Sequence, residues 1–524
     1  MEKNIPSIFN DVIGPVMRGP SSSHCAASSR IGRIIHMATK GTVKKAEFDF
    51  DINGSLAATY DGQGSDIGLV SGLLGIDLVD PDMVQALDIA KKRGVDISFN
   101  ILDYGAVHPN NYRMRITSED GESHTWEAIS TGGGMMVFER LDEFSIDIRG
   151  DYYELIIIVP IDNSKELEAY LKEHFPACEV FYKDEKEKRV LFNIKDNKPF
   201  DEKEVLALEG HEKIEKVMSL SPVLLTLSST KIEVPFETSE ELLKFAEDSD
   251  REMWEMATLY ESRRGNVSEE EVFEQMAELV DIFENSVKEG LAGTEYEDRI
   301  LHQQSHLIRE GMERRALIPN DLINQVIQNI TAVMEVKSSM GVIIAAPTAG
   351  SCGVLPGTIT ALSEVYSFSQ EDMVKAMLAA GLVGVFFAKL STFAAEVAGC
   401  QVECGAGSGM TAAAVAQLFG GSVEECINAA SIALQGITGL VCDTVANRVE
   451  VPCLSKNIMA GANAIFSANM ALAGFDPVIP LDETIEAIYD IGLKLPSELR
   501  CTCGGLGKTK TAIQLRERLE RIKK

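Results

Sequence analysis

Cys400, Cys442 and Cys453 are the residues whose type and spacing most directly offer chemistry, standing 42 and then 11 positions apart. They lie in the words Gly399-Cys400-Gln401, Gly439-Leu440-Val441-Cys442-Asp443 and Val451-Pro452-Cys453. The start, Met1-Glu2-Lys3-Asn4-Ile5-Pro6, lacks a basic region followed by an apolar run, and the ten cysteines show no paired extracellular pattern. A cytoplasmic protein with reduced thiols free for metal is the expectation. Three thiolates are one fewer than a closed zinc site or a fully ligated cluster uses, and a missing ligand leaves a catalytic metal open to substrate. No C-x-x-C pair is present, so on spacing alone the alternative stands that all three are small buried hydrophobes, as Cys404 and Cys426 nearby are read.

A second set lies near the start. Gly19-Pro20-Ser21-Ser22-Ser23-His24 places three hydroxyls and an imidazole ahead of a helix expected at Ala26, where side-chain and backbone donors can meet a carboxylate. A serine cap with a surface histidine is the plainer reading. Ala106-Val107-His108-Pro109-Asn110-Asn111 and Thr131-Gly132-Gly133-Gly134 follow, and Ala345 to Gly353 forms a turn containing Thr348, Ser351 and Cys352. Gly507-Lys508-Thr509 invites a nucleotide reading that fails on spacing, because Thr502 occupies the position where a phosphate loop needs glycine. In the same stretch Arg500 by itself reads as a solvated arginine. His36, His124, His174, His211, His302 and His306 receive no role.

These words resemble the iron-sulfur-dependent L-serine dehydratases. Gly399 to Glu403, Gly439 to Asp443, and Val449 to Cys453 with Lys456-Asn457 are similar to the family's α-chain. Ile13-Gly14-Pro15-Val16-Met17, Gly19 to His24, Arg30-Ile31-Gly32-Arg33, Val107 to Asn110 and the triple glycine look like its β-chain. The resemblance implies both chains fused in one polypeptide, β-elimination from L-serine to pyruvate and ammonia, and a 4Fe-4S cluster with one open iron. It implies Cys400, Cys442 and Cys453 as cluster ligands, and Ser21, Ser22, Ser23, Thr348, Ser351 and Arg500 as substrate-binding residues. His24, His108 or Lys456 would be the base, and a homodimer is expected. Two departures stand out: Cys25 replaces the threonine usual after the histidine, and Gly62-Gln63-Gly64-Ser65-Asp66 replaces Gly-His-Gly-Thr-Asp. Glutamine cannot act as a general base. Release of sulfide from L-cysteine, elimination from another hydroxy acid, and a non-catalytic metal-binding amino-acid sensor therefore remain alternatives.

The elements that must position these residues form a multidomain chain. Of 524 residues 45% are apolar, enough for several cores, and 49 basic against 80 acidic side chains leave a net charge of −31 that repels nucleic acid and anionic membranes. Residues 1–150 read as an α/β domain, with strands over Phe48–Ile52 and Val95–Phe99 and a helix over Met83–Arg93. Residues 151–235 read as a small α+β module of split β-α-β order that resembles ACT regulatory modules, followed by a connector. Its expected elements are strands over Glu154–Val159, Cys178–Lys183, Arg189–Ile194 and Lys213–Leu220, with helices over Ser164–Glu173 and Asp201–Leu208. Residues 236–524 read as a mainly α-helical catalytic domain, opening with acidic helices over Glu240–Arg264 and Glu269–Gly290. The apolar run Met377–Cys400 reads as one buried helix, since its Lys389, Glu396, alanines and glycines do not suit lipid.

Overall fold

A computed structural model describes residues 5–296, 299–502 and 504–522. After the short strand β1 (Val16–Arg18), the N-terminal part contains β2 (Val43–Asp51), β3 (Asp96–Leu102), β4 (Asn111–Ser118), β5 (Ser123–Gly132), β6 (Met135–Leu141) and β7 (Phe144–Ile148). The last six make one sheet in the order β3-β2-β4-β5-β6-β7, parallel only between β2 and β3. Alternation in β2 sends Ala46, Phe48 and Phe50 into a core closed by Ile31, Ile34 and Ile35 of the helix Ala27–Ala38. That helix lies against the helix Ser65–Leu73 because both surfaces are bare at the crossing: a Cβ at Gly72 would stand 2.0 Å from Ser29 O. The expected helix Met83–Arg93 is shorter, Ala86–Lys92, because Pro81–Gln85 forms a tighter turn capped by the Asp80 carboxylate accepting from Asp82 N–H.

The next segment folds as the sequence pattern indicates: β8 (Tyr153–Pro160), the helix Ser164–His174, β9 (Val180–Glu185), β10 (Arg189–Asp196), the helix Glu202–Glu209 and β11 (Lys216–Leu220). Its antiparallel sheet runs β11-β8-β10-β9, the split β-α-β arrangement. The apolar run in β8 has a two-sided cause. Leu155, Ile157 and Val159 pack under this module's own helices, whereas Ile156 and Ile158 join the core of the preceding sheet.

From Ser239 onward the chain is almost wholly helical. The helix expected over Glu240–Arg264 breaks into Ser239–Ala246 and Met253–Gly265, and Glu252 with Glu255 forms a capping box that restarts it. The run Met377–Cys400 is likewise not one helix. Gln370–Leu390 ends ten residues before Cys400, and a short helical turn, Ala395–Ala398, precedes the cysteine. Gln370–Leu390 is long and apolar enough to cross a membrane, but 78% of its apolar window is buried inside the protein. β12 (Val342–Ile344) pairs antiparallel with β1, Val16 opposite Ile344 and Arg18 opposite Val342, so one two-stranded ribbon joins the N-terminal and helical parts.

Candidate active site

The three cysteines are delivered by three different local structures. Gly399 adopts φ +79°, a left-handed turn that Cβ-bearing residues resist, and so swings Cys400 out of the preceding helical turn. Gln401 then clamps the neighbouring loop: its backbone N–H donates to Leu440 O at 3.0 Å and its Oε1 accepts from Gly439 N–H at 2.8 Å. Cys442 follows in that loop, tied to the C-terminal segment by its N–H to Leu499 O (2.9 Å) and its O from Cys501 N–H (3.0 Å). Cys453 opens the helix Cys453–Leu472, whose N-terminal dipole favours a thiolate. Asn457, one turn on, donates to Cys453 O and Gly350 O, both at 2.8 Å, and accepts from Gly353 N–H, which locks the Thr348–Gly353 turn beside the cysteines.

All three thiols are buried. Lys456 Nζ donates to Val441 O (2.6 Å) and Asp443 Oδ1 (2.7 Å). Burial opposes its ammonium, but Cys400, Asp443, Cys442 and Cys453 together outweigh it and push the pKa up. The charge of this one cation is thus coupled to all three cysteines. Cys400 is drawn down to about 7, first by the Cys404 thiol that donates to it and, against burial, by Lys456. Cys442 is raised by donating to Cys501, and burial pushes Cys453 up to about 12. Among the described residues no three His, Cys, Asp or Glu side chains stand close enough to hold a single metal ion. A cluster does not require that tight set, because its thiolates bind different irons. Three buried thiols around one ammonium are a donor set that fits an anionic iron-sulfur group.

The serine-histidine loop reaches this centre from the N-terminal sheet. Ser22–Ala26 forms one wide helical turn leading into Ala27–Ala38, so the helix starts one residue later than expected and His24 is fully buried rather than a surface residue. Its Nδ1 lies 3.0 Å from Ser21 Oγ and 3.5 Å from Glu396 Oε1, and its Nε2 2.8 Å from Thr59 Oγ1. Burial drives the imidazole down to about 3, so it is neutral across ordinary pH. Ser22 Oγ accepts from Ala349 N–H at 3.2 Å, and Ser23 O accepts from Tyr112 OH at 3.5 Å. Thr348 Oγ1, itself 3.2 Å from Ser351 Oγ, donates to Glu403 Oε1 at 2.8 Å. Glu403 is raised well above the usual carboxylate value by burial and then by Cys400 and Glu396, which favours its protonated form.

The structure therefore brings Ser21, Ser22, Ser23, His24, Thr348, Ser351, Lys456 and the three cysteines into one connected region. His108 is less committed: its Nδ1 accepts from Asn110 N–H at 3.1 Å, and burial lowers its pKa. Among the described residues Arg500 meets no carboxylate and its buried Nε finds no partner; it donates to Val397 O at 2.8 Å. Glu396 Oε2 and the Asn110 side chain are buried beside each other without a well-formed hydrogen bond. Sequence reasoning missed Glu396, Glu403, Thr59 and Cys501. Glu403 was visible inside the Cys400 word, whereas Cys501 Sγ is recognisable only in space, where Gln63 Nε2 donates to it at 3.6 Å.

Comparison with known proteins matches residues 237–506 to the family described as serine dehydratase alpha chain and residues 12–140 to serine dehydratase beta chain. A probable L-serine dehydratase alpha chain of Bacillus subtilis is 34% identical over 285 residues, covering 54% of this chain and 95% of the relative. The probable beta chain of the same organism is 38% identical over 152 residues, 29% of this chain and 67% of its own length. An L-serine dehydratase of Haemophilus influenzae aligns over 503 residues at 24% identity, covering 93% of this chain and 95% of its own.

Proposed function

Because the chain belongs to the serine dehydratase family, with β-chain and α-chain segments in one polypeptide, we propose that it dehydrates and deaminates L-serine to pyruvate and ammonia. The observation that carries this reading is the meeting of three buried thiols and Lys456 with a neutral His24 backed by Glu396. Cys400, Cys442 and Cys453 would hold a 4Fe-4S cluster, and when bound it supplies Lewis-acid polarisation of the substrate C–O bond.

The chain's own residues handle protons and orientation. His24 takes the α-proton, with the Glu396 carboxyl group 3.5 Å from its Nδ1 to receive the N–H of the protonated ring. The C–H electron pair becomes the new C=C bond as the bond to the β-hydroxyl breaks, and the proton on Glu403 lets that hydroxyl leave as water. The resulting 2-aminoacrylate tautomerises and hydrolyses to pyruvate and ammonia. Ser22, Ser23 and the unpartnered Arg500 Nε are donors for the substrate carboxylate. Lys456 is engaged as an ammonium by Asp443, and of the two histidines His24 is the one with a carboxyl group beside its ring, Glu396 at 3.5 Å, which favours it as the base.

Gln63, against Cys501 where the family has histidine, favours one second reading, release of sulfide from L-cysteine. The test is pyruvate formation by anaerobically reconstituted protein on serine, threonine and cysteine. Turnover of serine is expected, lost on iron chelation and reduced about 10²-fold in Glu403→Gln. Full turnover by chelated, colourless protein would sink the reading.

A further inference from the structure

A second buried lysine stands behind the cysteines. Lys337, on the helix Asp321–Ser338, has none of its surface exposed. Its Nζ donates to Val449 O, four residues ahead of Cys453, and makes no ion pair among the described residues. Its charge acts on Cys453, Cys352, Glu403 and Glu450. None of these is an adequate partner. Burial raises both carboxyls toward the neutral form, and it raises the Cys352 thiol to about 11. A fully buried lysine whose amine meets a carbonyl and makes no ion pair among the described residues has a place beside it for a partner of opposite sign, since buried charges are ordinarily paired.

We infer that Lys337 is the built-in counter-cation of the anionic group held by the thiolates, acting from the Cys453 side as Lys456 acts across all three sulfurs. This rests on the iron-sulfur reading above. Lys337 is a positioning residue: it does not touch substrate, but its charge stabilises the more negative state of the bound group and so raises its reduction potential. The family assignment does not require it, since the three cysteines alone satisfy the ligand count.

Two substitutions separate charge from hydrogen bonding. Lys337→Gln retains a donor for Val449 O and removes the charge, whereas Lys337→Arg retains both. Each protein is reconstituted anaerobically with iron and sulfide, and its midpoint potential is read by a redox titration followed by electron paramagnetic resonance. Lys337→Gln should shift to more negative potential, and Lys337→Arg should return toward wild type. Iron-free Lys337→Gln should melt no lower than iron-free wild type, because it removes an uncompensated charge, while its gain in melting temperature on loading should be smaller. An unchanged potential in Lys337→Gln would overturn the inference. So would an iron-free Lys337→Gln that melts lower or fails to fold, since the ammonium would then already have its stabilising partners. If wild type takes up no iron, the iron-sulfur reading fails instead, and the iron-free melting comparison still decides whether Lys337 is uncompensated.

Discussion

Burial of His24 makes the fold sensitive to acid in a way that can be isolated. The folded imidazole titrates near 3 against an ordinary value of 6.5, so between these limits the unfolded chain binds a proton that the folded chain refuses. A depressed histidine therefore contributes stability that is present above about pH 6.5 and is lost as pH falls toward 3. At about pH 5, some 1.5 units below the unfolded value, the loss from this one group is about 2 kcal/mol at roughly 1.4 kcal/mol per unit. His24→Asn removes that term. Urea unfolding of iron-free protein, followed through Trp126 in a Trp254→Phe background, reports the domain that contains His24, because Trp126 is buried in its sheet. The variant starts less stable near pH 8, since it loses contacts to Ser21 and Thr59, so only the change with pH is compared. Between about pH 8 and pH 5 wild type should lose about 2 kcal/mol more than His24→Asn. Other acid-titrating groups, including His108, occur in both proteins and cancel. Equal losses would mean that His24 is protonated in the fold, and the neutral base assigned to it would be wrong.

Two further outcomes follow from the site. Cys400→Ser, Cys442→Ser and Cys453→Ser should each abolish the brown colour and the bound iron and sulfide of anaerobically purified protein, whereas Cys178→Ser, outside the buried group, should keep them; retention of a full complement by any of the first three would remove that residue from the ligand set. Gln63→His should change serine turnover by less than about tenfold, or roughly 1.4 kcal/mol in barrier, if His24 supplies the base, and pyruvate assays on serine and cysteine with both proteins would reveal a switched substrate instead.

Much of this arrangement was legible because it is local. The split β-α-β order followed from alternation and helical period over short windows, and its strand ends moved by only a few residues. The helices expected over Glu240–Arg264 and Met377–Cys400 were misjudged because periodicity continues across a break, whereas the Glu252–Glu255 box and the exit at Ser391 are decided by which backbone groups find partners. The cysteine trio was singled out through resemblance, but that its three words lie together depends on Gln401 and Asn457, whose roles are contacts between distant loops. Lys337 carried no signal at all. A lysine in an apolar helix pattern reads as one exposed position, and only the packing of Val449 over it reveals that it is buried.

The β1–β12 ribbon bears on how the centre is assembled. His24 and Gln63 come from one end of the chain and the cysteines from the other, and the ribbon's cross-strand partners, such as Met17 and Ile343, are 326 positions apart. When such halves are separate molecules, their union obeys mass action and fails on dilution. Joined covalently, they meet at an effective concentration fixed by the intervening chain. The segment carrying β8 to β11 is then also a tether, so the parts of the centre that lie on one chain meet without the dilution penalty of separate molecules.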